Sequence, residues 1–179
     1  LEYISDPQIS PDGQKIIYVR NFKDIMTDRN LSNLWIASFN GSQNRPLTTG
    51  EQSDRSPRWS HDGSRIVYTS NKSGKSEIYL RWMDSGDEMV LVNSEKSPSS
   101  ITWSPDDKHL AFNMFVPKLK PSPIKMPAKP AGATWNAPPK YVDDLGWRRD
   151  GQGEVPSGSQ QLFTVPVSGG TPRQITDAP

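Results

Sequence analysis

One short motif recurs three times along the chain and constrains its fold more than any other feature. The copies read ISPDG at 9–13, WSHDG at 59–63 and WSPDD at 103–107. Their aspartates, Asp12, Asp62 and Asp106, are separated by 50 and 44 residues. A period of about 40 to 50 residues is typical of the blades of a β-propeller, in which each repeat is one small sheet that packs on its neighbours.

The residues around the motif repeat as well. Each copy is followed by a short run that is apolar on both faces: KIIYV, RIVYT and HLAFNMF. Such runs are typical of strands that are covered on both sides. Each repeat then offers another strand, a glycine turn and a last strand, as in EIYLRWMDSGDEMVLVN. Four strands joined by tight turns make one propeller blade.

We therefore predict an all-β chain, a β-propeller fragment of about three four-stranded antiparallel blades with a long insertion in the third. The predicted blades span about 1–51, 52–95 and 96–179, and the insertion spans about 116–158. Seventeen prolines and thirteen glycines in 179 residues agree with this prediction, because they favour frequent chain reversals over long helices.

The motif has a structural explanation. Proline presets φ at the second position of a turn, aspartate accepts backbone N–H bonds, and glycine supplies a positive φ. The alternative is that Asp12, Asp62 and Asp106 are carboxylates for catalysis or calcium binding, but they lie a whole blade apart. Two positions depart from the motif. In the third copy Asp107 replaces glycine, and aspartate tolerates the left-handed region; in the second copy His61 replaces proline, and we expect it to be a surface turn residue.

Catalytic and cofactor signals are missing from the sequence. The two histidines are His61 and His109, and we expect His109 to be solvated or to cap a strand. No GxSxG nucleophile motif occurs, and PSGSQ at 156–160 lacks the setting of one. The acids lack metal-ligand spacing, and the adjacent Asp143 and Asp144 would point to opposite faces of a strand. We predict no catalytic residue, metal ligand or cofactor in this chain.

Charge and cysteine content exclude further classes. A net charge of +1 gives no field to recruit nucleic acid or an anionic membrane, so we expect neither as a partner. No apolar run approaches the roughly 18 residues of a membrane-spanning helix. Without cysteine there is no disulfide or thiolate site, and the compartment stays open between cytoplasm and periplasm or secretion.

Two insertions interrupt the repeats. We expect Asn21–Ser32 to be a polar loop that is longer than its counterpart Asn71–Ser76. The larger insertion begins with VPKLKPSPIKMPAKP, which favours extended polyproline-like backbone. Its basic residues are a candidate contact for an acidic partner, the alternative being a solvated loop; they are Lys118, Lys120, Lys125 and Lys129.

The repeats resemble those shared by the periplasmic Tol-system propeller and the prolyl oligopeptidase family. The segment Ala133–Thr176 is similar to acylaminoacyl-peptidase-like and dipeptidyl-peptidase-like members, and Tyr3–Asn21 resembles the start of their propeller. The resemblance implies a propeller that precedes a C-terminal α/β-hydrolase domain and restricts entry to small peptides. The catalytic Ser, Asp and His would belong to that domain, which is absent from this sequence. The acidic motif by which some members hold a substrate's amino terminus has no match here.

We thus expect a noncatalytic N-terminal propeller segment of a serine peptidase that cleaves short peptides, with the propeller gating access to the hydrolase domain. The expected partners are that domain of the same polypeptide and the peptide substrates. The alternative is a Tol-type interaction module with no enzyme attached. Because the chain does not begin with Met, we expect a processed product or an excised piece. Three blades leave apolar faces uncovered, so we expect the isolated fragment to self-associate or to be marginally stable.

Overall fold

The described part of the chain folds into three four-stranded β-sheets and one two-stranded sheet. The computed structural model describes residues 2–118, 127–136, 142, 146, 148–151 and 153–177. Within these residues all the regular elements are β-strands, and none is a helix long and apolar enough to cross a bilayer. The fourteen strands are β1 (Tyr3–Ile9), β2 (Lys15–Asp24), β3 (Arg29–Ser38), β4 (Asn44–Pro46), β5 (Asp54–Trp59), β6 (Arg65–Ser70), β7 (Glu77–Trp82), β8 (Glu88–Val92), β9 (Ser99–Trp103), β10 (His109–Pro117), β11 (Arg148–Arg149), β12 (Gly153–Glu154), β13 (Gly158–Pro166) and β14 (Arg173–Gln174).

Three of the sheets follow the order of the chain. The first contains β1 to β4 and the second β5 to β8, while the third contains β9, β10, β13 and β14 in that spatial order. The first strands of the three sheets are neighbours, because β5 contacts both β1 and β9. Adjoining four-stranded sheets with their first strands side by side are the arrangement of propeller blades. The predicted all-β propeller fragment is confirmed.

Each innermost strand contains an irregularity that the sequence pattern did not reveal. The pairing register shifts in all three sheets, between Ser5 and Gln8 in the first and at equivalent places in the others. A positive φ accompanies each shift, at Asp6 (47°), Ser56 (54°) and Ser100 (52°). Such β-bulges bend a strand and increase its twist.

Burial along the second strands depends on whether a neighbouring sheet covers each face. In the second sheet Ile66, Val67 and Tyr68 are consecutive and all at most 1% exposed, because sheets lie on both sides. In the first sheet Ile17 is buried, whereas Ile16 is only half-buried. The core between these two sheets consists of Ile17, Val19, Leu34, Ile36, Leu47, Ile66, Tyr68 and Tyr79.

The expectation of a polar loop over Asn21–Ser32 is wrong. The ladder between β2 and β3 continues through four further pairs, from Asn21↔Ser32 to Asp24↔Arg29, and closes in a four-residue turn. The backbone forms a full ladder despite the polar side chains, because N–H and C=O groups pair whatever the side chain is. Leu31 is buried within it and anchors the extension.

Residues 116–159 form a compact unit of their own, which includes β11 and β12. The ends of this unit meet, because Lys118 N donates to Ser157 O at 2.9 Å. Of the basic residues singled out above, Lys118 and Lys129 are exposed. The remaining two, Lys120 and Lys125, lie outside the described residues, as does the Asp143–Asp144 pair.

Candidate functional site

The repeated motif builds the same hydrogen-bonded turn in each blade. In the second blade Ser60 Oγ donates to Asp62 Oδ1 at 2.6 Å, and the same oxygen accepts from Ser64 N at 2.9 Å. Ser60 Oγ also accepts from Arg65 N at 3.0 Å and so ties the turn to the start of β6. The first and third blades repeat this set of bonds around Asp12 and Asp106.

These hydrogen bonds lower the pKa of the aspartate in each turn. The hydroxyl of Ser60, followed by the N–H of Ser64, lowers the pKa of Asp62 from 3.8 to about 2. Hydrogen bonds from serine hydroxyls lower the pKa of Asp12 and Asp106 in the same way. Each carboxylate bonds within its own turn, so the structural interpretation of the motif is confirmed.

The two departures from the motif meet at the junction of the second and third blades. Asp107 Oδ1 accepts from His61 N at 2.9 Å and lies 2.7 Å from His61 Nδ1. Asp107 Oδ2 accepts from Asp62 N at 3.0 Å. Burial raises the pKa of Asp107, but the hydrogen bonds from His61 and Asp62 outweigh it and the pKa is lowered overall.

The junction of the first and second blades shows why the histidine and the aspartate occur together in place of proline and glycine. There the equivalent positions are Pro11 and Gly63, and a Cβ placed on Gly63 would lie 3.5 Å from Pro11 Cδ. Proline has no N–H, so an aspartate facing Pro11 would lack the donor that His61 supplies. His61 and Asp107 therefore form one matched contact between blades, which single-position reasoning missed.

The inner edge of the blades carries a second repeated contact. Trp59 Nε1 donates to Gln8 O at 3.2 Å, and Trp103 Nε1 donates to Arg58 O at 3.1 Å, so each tryptophan binds the preceding blade at the same position. Arg58 also forms an ion pair with Asp6 of the first blade at 2.9 Å. The first blade has Ile9 at the tryptophan position, and its side chain is exposed.

A cleft of about 240 Å³ runs along these three blades. Its lining residues are Gln8, Ile9, Pro11, Arg58, Trp59, Ser60, His61, Thr102 and Trp103. It contains a serine and a histidine, but Ser60 Oγ donates to Asp62 while the His61 ring bonds Asp107. Ser60 is buried, and its hydroxyl bonds Asp62 and the backbone of Arg65, so it is not presented to a substrate as a nucleophile.

The remaining candidate catalytic and metal-binding residues do not cluster with one another in the described part of the chain. His109 begins β10, is exposed, and donates its backbone N–H to Ser104 Oγ at 2.9 Å. Among the described residues, no group of three or more His, Asp or Glu side chains could hold a metal ion.

Sequence reasoning also missed a polar cluster on the second blade. Glu88 accepts from Tyr68 OH at 2.6 Å, Lys72 Nζ at 2.5 Å and Arg81 Nη1 at 2.7 Å. Burial raises the pKa of Tyr68. Burial also acts to raise the pKa of Glu88, but the hydrogen bonds from its three partners lower it overall. The first blade has the same contact in neutral form, from Tyr18 OH to Asn44 at 2.9 Å, so comparing the repeats position by position could have found it.

Three adjoining four-stranded sheets, with one turn and one inter-blade contact repeated, define a segment of a β-propeller. The sequence profile of the TolB beta propeller domain matches residues 2–118, and the chain belongs to this family.

Two relatives of this chain are named as peptidases. The chain is 28% identical over 174 residues to the uncharacterized peptidase YuxL of Bacillus subtilis, covering 97% of this chain and 26% of that protein. It is 30% identical over 116 residues to dipeptidyl-peptidase 5 of Porphyromonas gingivalis, covering 65% of this chain and 17% of that protein. The acylaminoacyl peptidase of Pyrococcus horikoshii has a similar fold, with a TM-score of 0.70 at 16% identity over 98% of this chain and 25% of that one.

The chain is thus a propeller segment related to peptidases, and it spans about a quarter of the length of YuxL. The predicted resemblance to the propellers of this peptidase family is confirmed. The Tol-type alternative has weaker support, because the match to YuxL covers 97% of this chain, whereas the match to the Tol-Pal system protein TolB of Polaromonas sp. covers 49%.

Proposed function

We propose that this chain is the noncatalytic propeller part of a serine peptidase that acts on short peptides, and that it limits access to a separate hydrolase domain. One observation carries the proposal: almost the whole chain matches a peptidase that is about four times as long. The environment of Ser60 supports it, because this serine is buried and its hydroxyl donates to Asp62 of its own turn, so it is not presented as a nucleophile.

The contacts along the inner edge of the blades support a role in limiting substrate access to the hydrolase domain. The Trp59 and Trp103 bonds and the Arg58–Asp6 ion pair fasten neighbouring inner strands to one another. Strands fastened in this way resist separation, so a channel along them would stay narrow. A narrow channel admits extended short chains and excludes folded proteins by size.

The peptidase proposal is tested on the native full-length protein. An antibody raised against this chain would capture the protein from its source, and a fluorophosphonate probe would report an activated serine. We expect a labelled band several times larger than 20 kDa. A folded but unlabelled protein would instead favour an interaction propeller of the Tol type.

Access control by the 116–159 unit needs a separate test. Because Lys118 and Ser157 are hydrogen-bonded at its base, residues 119–156 can be replaced by a short Asn-Gly turn in the full-length enzyme. We expect unchanged cleavage of dipeptide and tripeptide substrates and increased cleavage of longer ones. The matched control places Asn-Gly over residues 40–42, in the turn between β3 and β4. Unchanged size selectivity after the 119–156 replacement would refute a gating role for this unit.

A further inference from the structure

The first blade carries a hairpin that its neighbour lacks. In the second blade the pairing of β6 with β7 ends at Ser70↔Glu77, which corresponds to Arg20↔Asn33 in the first blade. The β2–β3 ladder continues for four more pairs, as far as Asp24↔Arg29. At about 3.3 Å per residue, the four further pairs make the β2–β3 ladder about 13 Å longer than the β6–β7 ladder.

Two large apolar side chains stand at the tip of this hairpin. Ile25 is 87% exposed and Met26 is 88% exposed. Turn positions usually carry Gly, Pro, Asn, Asp or Ser, for reasons of backbone geometry and hydrogen bonding. Two adjacent apolar side chains that are almost fully exposed on a projecting turn form a small apolar patch, which makes the tip a candidate contact surface.

The turn is held in place by its polar residues, not by the apolar pair. Asp24 Oδ1 accepts from Met26 N at 3.0 Å, and its other carboxylate oxygen accepts from the Thr27 hydroxyl. Lys23 Nζ and Asp28 Oδ1 form an ion pair at 2.7 Å across the tip. The side chains of Ile25 and Met26 are thus presented on an ordered turn, which lowers the entropy lost when they bind.

The position of the hairpin tip helps to identify the binding partner that could contact Ile25 and Met26. It lies at the edge of the first blade where β2 ends and β3 begins. The motif turns, between the first and second strands, lie at the opposite edge. The chain spans about a quarter of the length of YuxL. In a protein of that length, residues after 179 would be a binding partner tethered to the propeller.

A second copy of the chain is a poorer occupant. Even at the roughly 200 Å² that a large aromatic side chain buries, a symmetric contact through four such side chains would bury only about 800 Å². Stable interfaces between separate proteins bury more than about 1,000 Å². A domain on the same polypeptide needs less area, because tethering gives it an effective concentration in the millimolar range.

We propose that Ile25 and Met26 are an anchor that binds an apolar pocket of the domain following residue 179 in the same polypeptide. The proposal rests on the proposed function, in which that domain is the hydrolase. Methionine suits such an anchor, because its flexible thioether adapts to irregular pockets.

The test uses photo-crosslinking in the full-length protein. p-Benzoylphenylalanine replaces Met26, and a matched control carries it at Phe39, which is 61% exposed near the β3–β4 turn at the opposite edge. We expect position 26 to crosslink within one molecule to a residue after 179, and position 39 not to crosslink to that region. Crosslinks between two molecules, crosslinks confined to residues 1–179, or none at all would overturn the anchor.

Two further measurements keep the proposals separate. Fluorophosphonate labelling of the same sample reports the hydrolase: a labelled protein without the crosslink refutes the anchor alone, and a crosslinked but unlabelled protein refutes the peptidase alone. In limited proteolysis, the Ile25→Asp/Met26→Asp variant should lose the full-length band about tenfold faster, whereas Ile25→Leu/Met26→Leu and Phe39→Asp should stay within about twofold. Equal rates for both tip variants would count against the anchor.

Discussion

The matched contact between His61 and Asp107 makes a quantitative prediction about how blades are paired. Asp107 receives three hydrogen bonds, from His61 N, His61 Nδ1 and Asp62 N, at 2.7 to 3.0 Å. The Asp107 side chain is only 10% exposed, whereas the His61 side chain is 58% exposed. The backbone bonds to a nearly buried carboxylate should therefore matter more than the solvated imidazole.

The single variants should each destabilise the chain. His61→Pro removes two of the three donors and leaves a largely buried carboxylate short of partners, a loss of about 1 to 3 kcal/mol. Asp107→Gly removes all three bonds but relieves a non-glycine residue at φ 54°. Because that relief returns about 1 kcal/mol, the net loss should be about 1 to 2 kcal/mol.

The double variant should lose only about as much as Asp107→Gly alone, because without the carboxylate the His61 donors have no bond to lose and the pairing of Pro11 with Gly63 at the first junction is recreated. We expect a coupling free energy of about 1 to 2 kcal/mol between positions 61 and 107, from urea unfolding of all four proteins at pH 7 and several protein concentrations. Distant, independent sites add to within about 0.5 kcal/mol. If the two single losses sum to that of the double variant within this margin, the matched-pair explanation is wrong.

Three further outcomes are expected. Because the folded-state pKa of Asp62 is about 2, below its ordinary 3.8, its stabilisation is complete above about pH 4 and is lost as the pH falls towards 2. Thermal melts should therefore show a smaller acid-induced decrease in Tm for Asp62→Asn than for wild type. Trp59→Phe and Trp103→Phe should each cost about 0.5 to 1.5 kcal/mol in denaturant unfolding through the lost indole bond, whereas Trp135→Phe, at an exposed residue, should change stability by less than about 0.5 kcal/mol. Finally, because the outer faces of the end blades are uncovered in the isolated chain, we expect it to self-associate or to melt at low temperature. A strictly monomeric, cooperatively unfolding species in sedimentation and thermal melts would contradict this.

Features that depend on a few neighbouring residues could be predicted from the sequence. The turn around Asp62 needs only Ser60, Asp62 and Gly63, whose conformational and hydrogen-bonding preferences act within five residues. The spacing of three such turns then indicated the blade period and, with it, the fold class. The polar side chains of 21–32 suggest a loop, but the stretch forms a two-stranded ladder, because such a ladder is made of backbone bonds and polar side chains do not prevent them.

Features that depend on which blade lies beside which were decided by the tertiary structure. Ile16 and Ile66 occupy equivalent positions in similar sequences, yet only Ile66 is buried, because the first sheet covers that face of the second. In the sequence His61 looks like a surface residue and Asp107 like a tolerated turn residue, and nothing links the two, since 46 positions separate them in the chain. Local preferences fix each turn by itself, whereas contacts between blades form only when the sheets pack. The sequence therefore determined the repeated unit, and the packing of the blades decided which of its residues bind one another.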